Sequence, residues 1–270
     1  MTPEINANPQ KSPPGTSVLC RRMVGKGMKI SAAAAFALVT VLGVSACATP
    51  SADSLAQNDP WESTNRDVFA FDMWLERNVG RPVGNAYRAV APEPVRDGVH
   101  NAITNMQSPV VFANDVLQGD AEKAATTLGR MVVNSTIGIG GLIDVASKIG
   151  LPYHDNDFGV TMGKAGAAEG SYVVLPVLGP KPPRDIVGAV GDSLMDPFTW
   201  ARFDGRRTLL VARQGARVID TVERRMDQVE TLERTSIDFY ATVRNLYRQS
   251  RNARIRGNDA EGAPTDLPDL

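Results

Sequence analysis

The chain has 270 residues, 29 Lys and Arg against 30 Asp and Glu, and is 43% hydrophobic. A net charge of −1 excludes the global pull of a basic protein toward nucleic acid. The apolar fraction is enough for a sizeable core in one large domain or two small ones.

In chain order, the first element is a targeting segment. Arg21, Arg22, Lys26 and Lys29 form a positive cluster, and an apolar run, ISAAAAFALVTVLGV, fills residues 30–44. That run suits a signal-peptide core and is short for a membrane span. It ends in Val44-Ser45-Ala46-Cys47, small residues before a cysteine, which is a lipobox. Residues 1–46 are therefore expected to be removed. The Cys47 thiol is expected to carry the lipid, since its sulfur accepts a diacylglycerol before the cut. The polar, Pro-rich stretch before Arg21 is unlike a signal, and Met28 offers a compact alternative start. Processing would remove Cys20 and occupy Cys47, leaving no thiol for a disulfide or a nucleophile. Two or more acyl chains hold a protein where one is marginal. Ala48, not Asp, follows the cysteine, which leans toward the outer membrane.

Residues 47–58 read as a lipidated polar tether. Asp59, Pro60 and Glu62 then mark a helix start: a cap, a proline at the first position and a capping-box acid. Val68, Phe71, Leu75 and Val79 recur at helical spacing, with Phe69, Met73 and Trp74 widening the face. The aromatic content fits either a core helix or one presenting aromatics to lipid. Arg81-Pro82 is expected to break it. Short helices follow, over residues 85–90, from Val95 to Met106, from Pro109 to a stop at Gly119, and after Asp120, with Pro or Gly between them. Residues 135–151, STIGIGGLIDVASKIGL, form a Gly-rich apolar element too short and broken to span a bilayer. Residues 158–170 read as glycine loop, 171–180 as a short apolar run, and 185–195 as helix. From about residue 206 to 256 the pattern is one long charged helix or two packed ones, with Gly215 a candidate break. Residues 257–270 have a disordered, acidic composition.

Motifs for covalent chemistry do not assemble. Ser193 sits in GDSLM without the second glycine of a nucleophile elbow. The two histidines, His100 and His154, read as surface residues, although His154 lies beside Asp155 and Asp157 and a metal site there was weighed against that reading. GVTMGK (159–164) is one residue short of a P-loop and lacks its Ser/Thr. No cofactor is expected. Arg244, Arg248, Arg251 and Arg254 recur at helical spacing as a basic stripe, suited to lipid headgroups or an acidic partner, or simply to solvent.

The segments DPWESTNRDVFAFD (59–72), RPV (81–83), PEPVRDGVHN (92–101), LQGD (117–120), NSTIGIGGLIDVA (134–146), DFGVTMGKAG (157–166), YVVLPVLGP (172–180) and RDIVG (184–188), in this order, resemble the VacJ/MlaA lipoproteins. Asp72 is a small departure, since Asn is the commoner residue there. The resemblance implies a mostly α fold, amphipathic helices forming a ring-like domain over residues 59–256 that lies in one membrane leaflet. It implies phospholipid transport rather than catalysis: phospholipid taken from the outer leaflet, a trimeric outer-membrane porin as neighbour, and a soluble periplasmic lipid carrier as recipient. Position within the matching motifs points to Asn65, Arg66, Asp72, Asn134, Ser135 and Thr136 as candidates for lining the lipid path, or as structural hydrogen-bonders.

Overall fold

The computed structural model of the chain describes residues 50–257. The signal segment, Cys47 and the acidic residues 258–270 lie outside the described residues. The architecture is helical apart from one two-stranded hairpin. No helix among the described residues is long and apolar enough to cross a membrane.

Helix α1, Ala52–Ala56, occupies the stretch read as tether; Ser51 caps it, and Ser54 is buried. Asn58 then fixes the chain to the domain, its carbonyl accepting from the Tyr172 amide at 2.9 Å. Helix α2, Glu62–Leu75, buries Asn65, Phe69, Asp72 and Met73. The sequence pattern placed the inner face one step away: Phe71 and Trp74 are exposed and stack on each other, ring centroids 6.1 Å apart. Asp59 does not cap α2. Its fully buried carboxylate accepts from Asn65, Tyr240 and Arg244.

Arg81-Pro82 does not break the helix. A π-turn, Glu76–Gly80, leads directly into α3, Arg81–Val90. A π-turn takes up the extra residue and eases the misfit of a proline that cannot donate to the preceding turn. Helix α4, Glu93–Leu117, likewise runs through Pro109 where two helices were expected. Burial along one face continues past the proline, with Ile103, Ser108, Val111, Asn114 and Asp115 all inside. Packing over two further turns offsets one lost backbone hydrogen bond.

Helix α5, Ala121–Thr136, is capped by Asp120 and packs along α4. The Gly-rich element is a series of turns ending in α6, Val145–Lys148. At Gly138 a Cβ would sit 2.3 Å from the Ile143 carbonyl oxygen, so the turn closes on a hydrogen atom. Helix α7, Phe158–Lys164, replaces the expected loop. Its glycines serve packing: helix α8, Pro183–Met195, crosses it so closely that a Cβ on Gly188 would lie 2.5 Å from the Gly159 amide nitrogen. Strands β1, Val174–Leu175, and β2, Gly179–Pro180, form the hairpin within the apolar run, Val174 opposite Pro180. After the short α9, Pro197–Trp200, come α10, Arg206–Thr235, and α11, Phe239–Ile255. They part at residues 236–238, not at Gly215. The largest buried apolar cluster joins α2, the hairpin, α10 and α11 through Phe69, Met73, Tyr172, Val174, Val229, Tyr240, Val243 and Tyr247.

Candidate functional site

A polar cleft runs along one face of α4. Glu93, Arg96, Asp97 and His100 recur at three-to-four spacing and line a cavity of about 400 Å³ facing Arg88 of α3 and residues 220–225 of α10. The face continues through His100, Asn101, Thr104, Asn105 and Ser108 into a second cavity of about 100 Å³, closed by Arg130 and Asn134 of α5, Asp144 and Tyr153. His100 lines both cavities, and its Nδ1 lies 2.8 Å from Asp220 Oδ2.

The wider cavity is balanced in charge: Arg88, Arg96, Arg224 and Arg225 against Glu93, Asp97, Asp220 and Glu223. Arg88 and Arg96 both reach Glu223, and Arg224 bridges Asp97 and Asp220. Burial alone would raise the Asp220 carboxyl, but His100 and Arg224 outweigh it and hold it below the ordinary range.

The narrow cavity is built from fixed polar groups. Arg130, nearly buried, donates to Asp144, Ser147 Oγ and the Leu151 carbonyl at 2.9, 2.8 and 2.6 Å. Asn134 donates to Asp144 at 3.0 Å and accepts from the Ala146 amide at 2.9 Å. Asp144 also caps α6. Burial works to raise its carboxyl, but donors from Ser147, Arg130 and Asn134 hold it well below the carboxylate range. Asn105 donates to Ser135 Oγ at 2.9 Å, while its buried Oδ1 has no partner.

Outside the cleft the surface is unusually apolar. Ile137, Ile139, Leu142 and Ile143 stand out from the Gly-rich turns, Val187, Val190 and Leu194 from α8, and Phe71 and Trp74 from α2. Ile137 and Ile139 lie two residues apart on the turns and are each about two-thirds exposed, at 67% and 65%, which suits contact with lipid or protein.

The structure separates the residues expected along a lipid path. Asn134 lines the narrow cavity. Ser135 sits beside it on Asn105, and exposed Thr136 bonds back to the Val132 carbonyl. The three on α2 lie elsewhere. Asn65 is buried and ties Asp59 to the Tyr172 carbonyl and the Val174 amide. Arg66 pairs with Glu62 and Asp238 over the Tyr240 ring. Asp72 accepts from the Val177 amide at 2.8 Å and fixes the hairpin tip; burial pushes its carboxyl up to about 6.

The arginine stripe turns inward. Arg244 pairs with Asp59, Arg248 with Glu169, Arg251 with Asp157 and Asp185, and Arg254 with Asp155. The partners come from segments distant in sequence, so helical spacing alone read as a free basic face. The same pairs commit Asp155 and Asp157 to arginines. His154 is not a surface residue: it is largely buried, with Nε2 3.0 Å from Asp115.

Sequence reasoning passed over Arg130, Asp144 and the α4 face that make the cleft. One signal was present: Asp144 is the only acid in residues 135–151, and a carboxylate in an apolar stretch implies a partner.

A helical domain in which no described helix spans a membrane, with large apolar side chains exposed and a polar inner cleft, is a peripheral membrane domain. The chain belongs to the MlaA lipoprotein family, whose model matches residues 57–254. It is 30% identical to the intermembrane phospholipid transport system lipoprotein MlaA of Haemophilus influenzae, over 86% of this chain and 94% of that protein. To the Escherichia coli K12 protein of the same name it is 32% identical, over 87% and 96%. A solved chain from work on the structural basis for maintenance of bacterial outer membrane lipid asymmetry superposes with a TM-score of 0.65 at 31% identity, covering 73% of this chain and 98% of that one.

Proposed function

We propose that the chain is the outer-membrane lipoprotein of an intermembrane phospholipid transport system. Held by acyl groups on Cys47, it lies in the periplasm-facing leaflet of a Gram-negative outer membrane beside a trimeric porin. It removes phospholipid mislocalised to the outer leaflet and passes it to a soluble periplasmic carrier. Family membership and the names of its relatives support this reading.

One observation carries the mechanism: a charge-balanced polar cleft inside a domain that exposes many large apolar side chains. A phospholipid leaving its leaflet must take a charged headgroup through hydrocarbon, which is costly unless polar partners replace water. Arg130, Asn134 and Asp144, already held in place by hydrogen bonds to one another and to neighbouring groups, offer such partners at little reorganisation cost. The acyl chains stay against apolar surface throughout. No covalent bond breaks, so the function calls for no nucleophile or cofactor.

The test plugs the narrow cavity. Thr104→Leu and Asn105→Leu are expected to let phospholipid accumulate in the outer leaflet, read by a membrane-impermeant amine reagent in a complemented deletion strain. Wild-type asymmetry in both variants, at normal protein levels, would remove the cleft from the path. Site-specific crosslinks to porin, carrier and phospholipid are expected from positions around it. Release of free fatty acid by the purified protein would point instead to a phospholipase.

A further inference from the structure

Helices α4 and α10 run past each other as a ladder of polar rungs. From the wide cavity inward these are Arg96 on Glu223, His100 on Asp220, Gln107 on Arg217, and the Met106 carbonyl on Arg213. Positions 96, 100, 104 and 107 keep one face of α4 in register with the cleft. Arg96 to Gln107 is 11 residues, about 17 Å of helix, roughly half the hydrocarbon thickness of a bilayer.

The rungs differ in charge. Arg96 and His100 each meet a carboxylate, and Arg213 meets Asp196 at 2.6 Å. Half-buried Arg217 ends instead on an amide: with the Gln107 side chain turned so that its oxygen faces the guanidinium, that oxygen accepts from Nε at 2.9 Å and from Nη2. No carboxylate pairs with it among the described residues. Burial, and then the neighbouring Arg213 charge, lower its pKa, while Asp196, Asp155 and Tyr153 act more weakly in the other direction. Gln107 stands beside Ser108 and one turn from Thr104, both lining the narrow cavity, so the guanidinium it holds lies next to the cleft. An arginine does not give up its proton, so the remaining way to relieve a half-buried cation is an anion.

We propose that Arg217, backed by Gln107 at the inner end of the α4–α10 ladder, binds the phosphate of a phospholipid headgroup in transit. The inference rests on the transport reading and adds a recognition point to it. The compensated rungs outside admit a headgroup without holding it, and the uncompensated guanidinium within selects for phosphate. Its fork geometry suits two phosphate oxygens at once.

Titration of the purified full-length protein with three probes tests this: dihexanoyl phosphatidylethanolamine, dihexanoylglycerol and inorganic phosphate. Wild type is expected to bind the phospholipid at least about ten-fold more tightly than the phosphate-free diacylglycerol. Arg217→Gln is expected to erase that preference and leave diacylglycerol binding unchanged, which also reports an intact fold. Gln107→Glu, which supplies the missing carboxylate, is expected to weaken phospholipid binding while raising the melting temperature. A preference that survives in both variants overturns the role of Arg217 and leaves the transport reading standing. Wild-type protein that binds no phospholipid overturns the transport reading and this inference with it. Inorganic phosphate bound as tightly as the phospholipid at Arg217 identifies a free-anion site and overturns headgroup recognition.

Discussion

The Arg130 guanidinium and the Asp144 carboxylate meet at 2.9 Å, joining α5 to the Gly-rich turns at the floor of the narrow cavity. Asp144→Ala would leave a nearly buried guanidinium without its carboxylate. A loss of roughly 3 kcal/mol is expected, since stranding one member of a buried pair costs far more than the pair contributes. Asp144→Asn keeps most acceptors and should cost less. Urea denaturation of both variants checks the order.

Arg251 and Arg66 offer a contrast within one protein. Arg251 faces Asp157 and the buried Asp185, so Arg251→Gln should destabilise by about 3–5 kcal/mol. Arg66 pairs with Asp238 at the surface, both about 40% exposed, and Arg66→Gln should cost no more than about 1 kcal/mol. Thermal melts of the two variants in parallel measure the difference. Equal losses would mean that burying the Arg251 pairs does not strengthen them over the surface pair.

Asp72 gives a pH signature. Its folded carboxyl is raised to about 6 by burial, above the ordinary value of 3.8. Between these values the folded state binds more protons than the unfolded chain. The Asp72 contribution therefore favours folding at low pH and is lost as pH rises from 4 to 6. Asp72→Asn keeps an acceptor for the Val177 amide and should remove this slope. It is expected to gain on the order of 1–2 kcal/mol over wild type at pH 7.5 and little at pH 4. Chemical denaturation at both pH values reads the difference directly.

Gly138→Ala places a methyl 2.3 Å from the Ile143 carbonyl oxygen and 2.5 Å from that of Asn134. Backbone on both sides must move, so a loss of about 3 kcal/mol or more and misplacement of Asp144 are expected. Limited proteolysis within residues 137–144 should become faster. A fold unchanged by the substitution would contradict the tight turn.

On the proposed lipidation of Cys47, Cys47→Ser removes the acceptor. The chain is expected to move from the membrane to the soluble periplasmic fraction, which cell fractionation measures.

Much of the fold was legible because it depends on local pattern. The cap at Asp120 and the helix expected from 185 to 195, which begins at Pro183, follow from short-range chemistry. What was not legible depends on tertiary context. Pro82 and Pro109 mark breaks by local rules, and packing carries the helices through both. Glycines in α7 read as loop because sequence does not reveal that α8 crosses at Gly188. The cleft was hidden for a similar reason: α4 looks like an ordinary amphipathic helix until α5 and α10 face its polar side.

The pairing of Arg244 with Asp59 spans 185 residues and closes the start of the domain with its last helix. Synthesis proceeds in the opposite sense, and Asp59 emerges long before its partner exists. Until α11 arrives, Phe69 and Met73 lack the Tyr240 and Val243 surface that covers them. Until then the principal core stays open. Such long-range closure folds slowly and exposes apolar surface while it waits. A chain of this design needs an escort during export, and loss of its last helix should be felt first beside the anchor.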